Sequence, residues 1–135
     1  MGALCSLFPA FLMRMMAPSF SKLPYSEVQT YLNPGDVQTF KQMICQQRSG
    51  HGFMIDLEQT GKPDVDLRVI SCPTLVMHSQ HDSSVPIEHA HYAHEQINGS
   101  QLCILDTWGH LIWLGKGSEQ VHEKLFAFLG NGKGM

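Results

Sequence analysis

The chain has 135 residues, 43% of them hydrophobic and 16% charged, which is the length and composition of one ordinary globular unit. Its formal net charge is −3 at pH 7 and it has no run or stripe of Lys and Arg. That excludes nucleic acid as a partner, because phosphate recognition needs a basic face.

Residues 1–16 are apolar, but they lack a basic start, contain Pro9 and Arg14, and are fewer than the ~20 that span a bilayer. They read as a buried helix without a polar face, which wants a partner surface; no membrane span is expected, and the location expected is cytoplasmic. Pro18 and Pro24 end this first helical region. A second helix is expected over 26–32 with Val28, Tyr31 and Leu32 on one face, followed by the turn Asn33-Pro34-Gly35. Asp36 is a good N-cap for a third helix over 37–47, where Val37, Phe40, Met43 and Ile44 recur at helical spacing. Residues 48–52 break it, and a further turn or two of helix is expected over 53–59.

The second half changes character. Thr74-Leu75-Val76-Met77-His78 is a short, apolar, β-prone run that reads as a buried strand, with Pro73 tolerated only at its start. A polar loop over 79–85 follows. Pro86 then suits the first turn of a helix and Glu88 its positive end; Ala90, Ala93 and Ile97 face inward, and Asn98-Gly99 stops it. Leu102-Cys103-Ile104-Leu105 is a second buried strand, and Ser118 caps a last helix over 119–129 with Val121, Leu125 and Phe128 on one face. The Gly-rich residues from 130 onward are expected to fray. Strand, helix, strand, helix makes the fold class α/β. The two strands, about 74–78 and 102–105, should be parallel and joined by a right-handed crossover, with cover on both faces.

Chemistry concentrates in the two loops that leave the C-terminal ends of these strands, where sites form in open α/β sheets. The first loop carries Asp82 and the second carries His110. A carboxylate there accepts a hydrogen bond from imidazole Nδ1–H, which fixes the tautomer and leaves Nε2 free to take a proton from a nucleophile.

The run Cys72-Pro73-Thr74-Leu75-Val76-Met77-His78, then Asp82, Val85-Pro86 and Gly109-His110-Leu111, resembles the end of α/β-hydrolases. The resemblance covers residues 70–129. It implies a partial α/β-hydrolase fold in which 1–62 is a helical cap-like segment, 63–130 the C-terminal βαβα part of the core, and 131–135 a disordered tail. It also implies that Asp82 is the acid and His110 the base of a catalytic triad. The resemblance implies a serine hydrolase, esterase-like, acting on a small ester or related carbonyl compound without metal or organic cofactor. The chain departs from the pattern at Ser79, where the family usually has Gly, at Gln80-His81, and at Trp108, which stands where Gly is frequent and which would narrow the pocket. Trp108 and Leu111 are the substrate-pocket candidates; for Trp113 packing is favoured. No Gly-x-Ser-x-Gly nucleophile elbow occurs in the 135 residues, and the oxyanion-hole loop is also missing. In the family's order of nucleophile, acid, base, the nucleophile precedes the cap. The chain is therefore expected to start after it, to need a complementing N-terminal half, and to be inactive alone. The alternative is a non-catalytic remnant or small interaction protein that dimerises through its open sheet edge.

The remaining motifs are bland. Cys5, Cys45, Cys72 and Cys103 are widely spaced and read as buried, reduced thiols. Asn98-Gly99-Ser100 reads as a turn and not as a glycosylation site. His91 and His94 share a helix face near His78, His81 and His89, but nothing completes a metal site in an obvious way, so none is assigned.

Overall fold

Strands Leu75–Ser79 (β1) and Gln101–Leu105 (β2) pair in parallel, with Val76 opposite Leu102 and Ser79 opposite Leu105. The computed structural model that shows this describes residues 9–46, 50–60 and 65–131. Each strand departs from its expected bounds by one residue: β1 begins at Leu75 and takes in Ser79, and β2 starts at Gln101. Ser79 belongs to the ladder because its neighbour continues the pairing, with Gln80 N–H donating to the Leu105 carbonyl at 3.1 Å. The two strands therefore end level, and the loops that follow them leave the same rim of the sheet.

Among the described residues, six α-helices and two short strands follow one another along the chain. Helices Pro9–Phe20 (α1), Tyr25–Tyr31 (α2), Asp36–Gln46 (α3) and Gly50–Thr60 (α4) come first, followed by a 3-10 turn at Leu67–Val69. The crossover helix between the strands is Ile87–Gln96 (α5), and Ser118–Asn131 (α6) closes the order. Helix α1 overturns the expectation that Pro18 ends it. Pro18 lies inside its last turn, where the missing N–H costs the helix only the bond to the Arg14 carbonyl. Pro9 is the first residue of this helix, a position that suits it because the first helical N–H groups have no internal partner anyway. Residues 1–8 of the expected first helix lie outside the described residues. So do Cys5, Arg48 and Ser49, and the tail from 132 on.

Three further corrections follow from local chemistry. The expected break over 48–52 is wrong at residues 50–52, which lie within α4. Fraying from 130 is also wrong at its start, because α6 continues to Asn131. The three cysteines among the described residues are not buried: Cys45 and Cys72 are exposed and Cys103 is half-buried. Gly99 does stop the crossover helix, at a φ of +72° that a side chain would strain.

The main cluster of buried apolar residues joins both halves of the sequence. Leu12, Met13 and Ala17 of α1, Val28 of α2 and Phe40 of α3 pack with Trp108, Leu111 and Leu114 from the loop after β2. Helix α5 packs on both strands and α6 on β1. Helix α4, by contrast, contains no buried residue and exposes Phe53, Met54, Ile55 and Leu57. Ile104 on β2 is likewise exposed, so the expected cover on both faces is not complete among the described residues.

Candidate active site

The end of α1 builds the frame of the site. A helix leaves its last four carbonyls without internal partners. Here Ala17 O accepts from Ser21 N–H at 2.9 Å, and the other three accept from the two rim loops. Pro18 O receives the Ser83 hydroxyl at 2.8 Å, Ser19 O the Ser84 hydroxyl at 2.5 Å, and Phe20 O the His110 N–H at 2.8 Å. One step on, Ser21 bridges to Asp82 as an isolated antiparallel pair, and its hydroxyl donates to the Trp108 carbonyl. Ser79 ties the loops from below: its hydroxyl donates to Thr107 O at 2.8 Å and receives His81 N–H at 3.2 Å.

Within this frame Asp82 is buried, its side chain 4% exposed. Its Oδ1 accepts the N–H groups of Ser84 at 2.7 Å and Val85 at 2.9 Å. Its Oδ2 accepts from His110 Nδ1–H at 2.8 Å. Burial pushes the carboxyl up, but the Val85 N–H, the bond and charge of His110 and the Ser84 N–H together outweigh it, and Asp82 is held below its ordinary value. With Nδ1 committed to Asp82, Nε2 is the nitrogen of His110 left for proton transfer. The ring is 37% exposed, stacks on Phe20 with centroids 6.3 Å apart, and faces a cleft of about 230 Å³ that Val85, Ile112 and Trp113 also line.

A second histidine and acid meet on the same rim, His81 Nε2 and Asp106 Oδ1 at 3.1 Å. The hydrogen bond from Gln80 is the main cause that lowers the Asp106 carboxyl, with help from His81 and Tyr31. Asp106 is 63% exposed, however, and its charge is screened by water, so this pair orients nothing that solvent does not also reach.

Trp108 and Leu111 are not at the cleft. Trp108 has no exposed surface and Leu111 almost none; both belong to the core cluster under the loop. Along the loop Trp108, Leu111 and Leu114 turn inward at a spacing of three, while His110, Ile112 and Trp113 between them turn to the cleft. Trp113, for which packing is favoured in the sequence, is half exposed at the cleft mouth. The sequence carries no local signal for Phe20 and Ser21, which act from a distant helix. No group of three His, Cys, Asp or Glu that holds a metal occurs among the described residues. Among them, too, no helix is long and apolar enough to cross a membrane.

Gly109 is needed for a steric reason. A Cβ on it would lie 2.3 Å from the Phe20 carbonyl oxygen and 3.0 Å from Ser21 Cβ. Gly109→Ala must push the loop off α1 and break the His110 N–H bond to Phe20. We expect a loss of about 1–3 kcal/mol, the usual range for overpacking, read from urea unfolding of the two proteins. Equal midpoints would show that the loop does not sit against α1.

A family model described as TAP-like protein matches residues 35–134. The chain is 44% identical over 129 residues to the uncharacterized hydrolase YcgS of Bacillus subtilis (strain 168), covering 95% of this chain and 45% of that protein. Among solved structures it is similar to an alpha/beta hydrolase fold protein from Nakamurella multipartita, with TM-score 0.79 and 25% identity over 93% of this chain and 49% of the other. It is also similar to a thermophilic esterase from Thermogutta terrifontis, with TM-score 0.68 and 25% identity over 95% of this chain and 46% of the other. An esterase from Exiguobacterium antarcticum matches with TM-score 0.62 and 25% identity, covering 78% of this chain and 41% of that one. The chain spans about half the length of the relatives it matches.

Proposed function

The chain belongs to the α/β-hydrolase family, matching its TAP-like protein model, and on that premise we propose that Asp82 and His110 are the acid and base of a hydrolytic triad. The observation that carries this reading is the 2.8 Å bond from His110 Nδ1 to the buried Asp82, at the rim where both strands end. His110 Nε2 takes the proton of a nucleophilic hydroxyl as that oxygen attacks a carbonyl carbon, and then delivers it to the leaving oxygen. Asp82 stays ionised and stabilises the imidazolium in between. The nucleophile and the donors for the oxyanion come from outside these 135 residues, which hold no Gly-x-Ser-x-Gly. The substrate class is a small ester or related carbonyl compound; two of the similar solved structures are described as esterases. The place of action is the cytoplasm. The exposed apolar residues of α4 and β2 fit a surface that a complementing segment covers.

The test has two arms. The 135-residue chain alone is expected to take no fluorophosphonate label and to hydrolyse p-nitrophenyl acetate no faster than free imidazole. Joined to the part of the Bacillus subtilis relative that the match leaves out, it should turn the ester over, and His110→Ala should lower that rate by about 10³-fold or more. Turnover by the chain alone that needs His110 would overturn the outside nucleophile. Turnover of the joined protein indifferent to His110 would overturn the triad.

A further inference from the structure

The reading above leaves one buried titratable side chain unused. His78 is the fourth residue of β1, one before the strand ends, and its side chain is 10% exposed. Its Nδ1 lies 2.8 Å from the Ser79 carbonyl oxygen. A carbonyl only accepts, so Nδ1 carries a proton and the ring is fixed in orientation. Its Nε2 is sealed from solvent, has no hydrogen-bond partner among the described residues, and points at Asp82 Oδ2 from 3.6 Å.

That oxygen is the one that receives His110. Asp82 Oδ1 already holds two backbone N–H groups, whereas Oδ2 holds one donor and has a lone pair to spare. A buried ring nitrogen with no partner is costly, and an apolar side chain of the same size would avoid that cost. With Nδ1 already protonated, the contact becomes a charge-assisted bond when the ring takes up a second proton, on Nε2, and the gap closes by well under an ångström. The ring then donates from both nitrogens, to Ser79 O and to Asp82. Being anchored on a strand through the Ser79 carbonyl, it is a rigid donor.

We propose that His78 is a positioning residue for Asp82, holding Oδ2 between two imidazoles so that the carboxylate stays aimed at His110. This rests on the reading of Asp82 and His110 as acid and base. Its effect on His110 is indirect: a second donor at Oδ2 adds to the three that already hold the carboxylate, and so keeps the proton on His110 Nδ1 bonded.

The test uses the 15N-labelled 135-residue chain and the long-range 1H–15N spectrum of its imidazoles. The wild-type His110 Nδ1 proton should be low-field and slow to exchange, and the His78 Nε2 resonance should be that of a nitrogen bearing a proton. His78→Phe fills the same volume without a donor, and His78→Gln offers an amide N–H near the place of Nε2. Exchange of the His110 Nδ1 proton should speed up by about 10-fold in the Phe variant and return close to the wild-type rate in the Gln variant, as expected for losing and regaining one bond to a charged group. Unchanged exchange in a folded Phe variant overturns the proposal, because a packing role alone predicts that result. If the Phe variant does not fold, the wild-type spectrum decides, and a bare lone-pair resonance for His78 Nε2 overturns the proposal. Asp82→Asn separates the two readings. A His110 Nδ1 signal that ignores Asp82 sinks the acid–base pair itself. One that responds to Asp82 but not to His78 sinks only the positioning role.

Discussion

Replacing Trp108 by alanine is expected to cost about 3–5 kcal/mol of unfolding free energy, the range seen when a large aromatic is cut out of a packed core. The indole has no exposed surface and stands where three helices of the first half meet the loop after β2, against residues such as Met13, Val28 and Phe40. No single helix can move in to fill the space, so a cavity remains. A domain of this size has only about 5–15 kcal/mol in hand, so the variant should sit near its threshold of folding. Trp108→Phe should behave differently. The indole Nε1 is buried and has no acceptor among the described residues, so Phe loses volume but also removes an unsatisfied N–H. Its cost should be less than half that of alanine. Urea midpoints of the three proteins give the comparison. Near-equal midpoints for Ala and wild type would mean that the core is not centred on this residue.

The second large effect belongs to Asp82. Alanine at this position strands three donors at once, the N–H groups of Ser84 and Val85 and the Nδ1–H of His110. Leaving a buried donor without its partner costs about 1–3 kcal/mol, and with the two backbone N–H groups stranded we expect Asp82→Ala to cost about 2–6 kcal/mol. Asparagine keeps an oxygen for the two backbone donors but turns an amide NH₂ toward His110, so Asp82→Asn should be milder for stability. It should still drive His110 into the other tautomer. The acid limb follows from the direction of the Asp82 shift. Its carboxyl is held below the ordinary 3.8 in the folded chain, so the unfolded chain takes up this proton first as pH falls. The stabilisation is complete above the ordinary value, declines as the pH drops past it, and is gone once the folded carboxyl is protonated. Urea midpoints taken from pH 6 down to pH 3 should fall more steeply for the wild type than for Asp82→Asn. Parallel curves would show that Asp82 is not the group that couples folding to acid.

The parts legible in the sequence are those encoded within a dozen residues. Both strands could be read from short apolar runs bounded by Pro73 and by polar loops, and their parallel pairing from the helix between them. The approach of Asp82 to His110 was legible because each follows its strand directly, so the rim brings them together. What escaped depends on contacts between distant segments. Trp108 looked like a pocket wall because it neighbours the histidine, but three helices from the first half draw it inward. Pro18 looked like a helix end because local propensity sees only a missing N–H, whereas the helix runs two residues further to reach the rim loops. Ser79 looked like a departure from a glycine pattern, but its hydroxyl is what joins one loop to the other. Phe20 and Ser21 gave no signal at all, since nothing about a Phe-Ser pair in a helical region announces a mount for residues from the other half of the chain.

That mount has a consequence for how the site withstands thermal motion. The last turn of α1 grips the acid loop through Pro18 and Ser19 and the histidine loop through Phe20. A sway of the helix therefore carries both loops in common, and the distance between carboxylate and imidazole is unaffected by it. A motion that separates either loop from the helix must break one of these hydrogen bonds first. The pair is thus insulated from the softness of the scaffold around it, much as two instruments bolted to one bench keep their alignment while the bench moves.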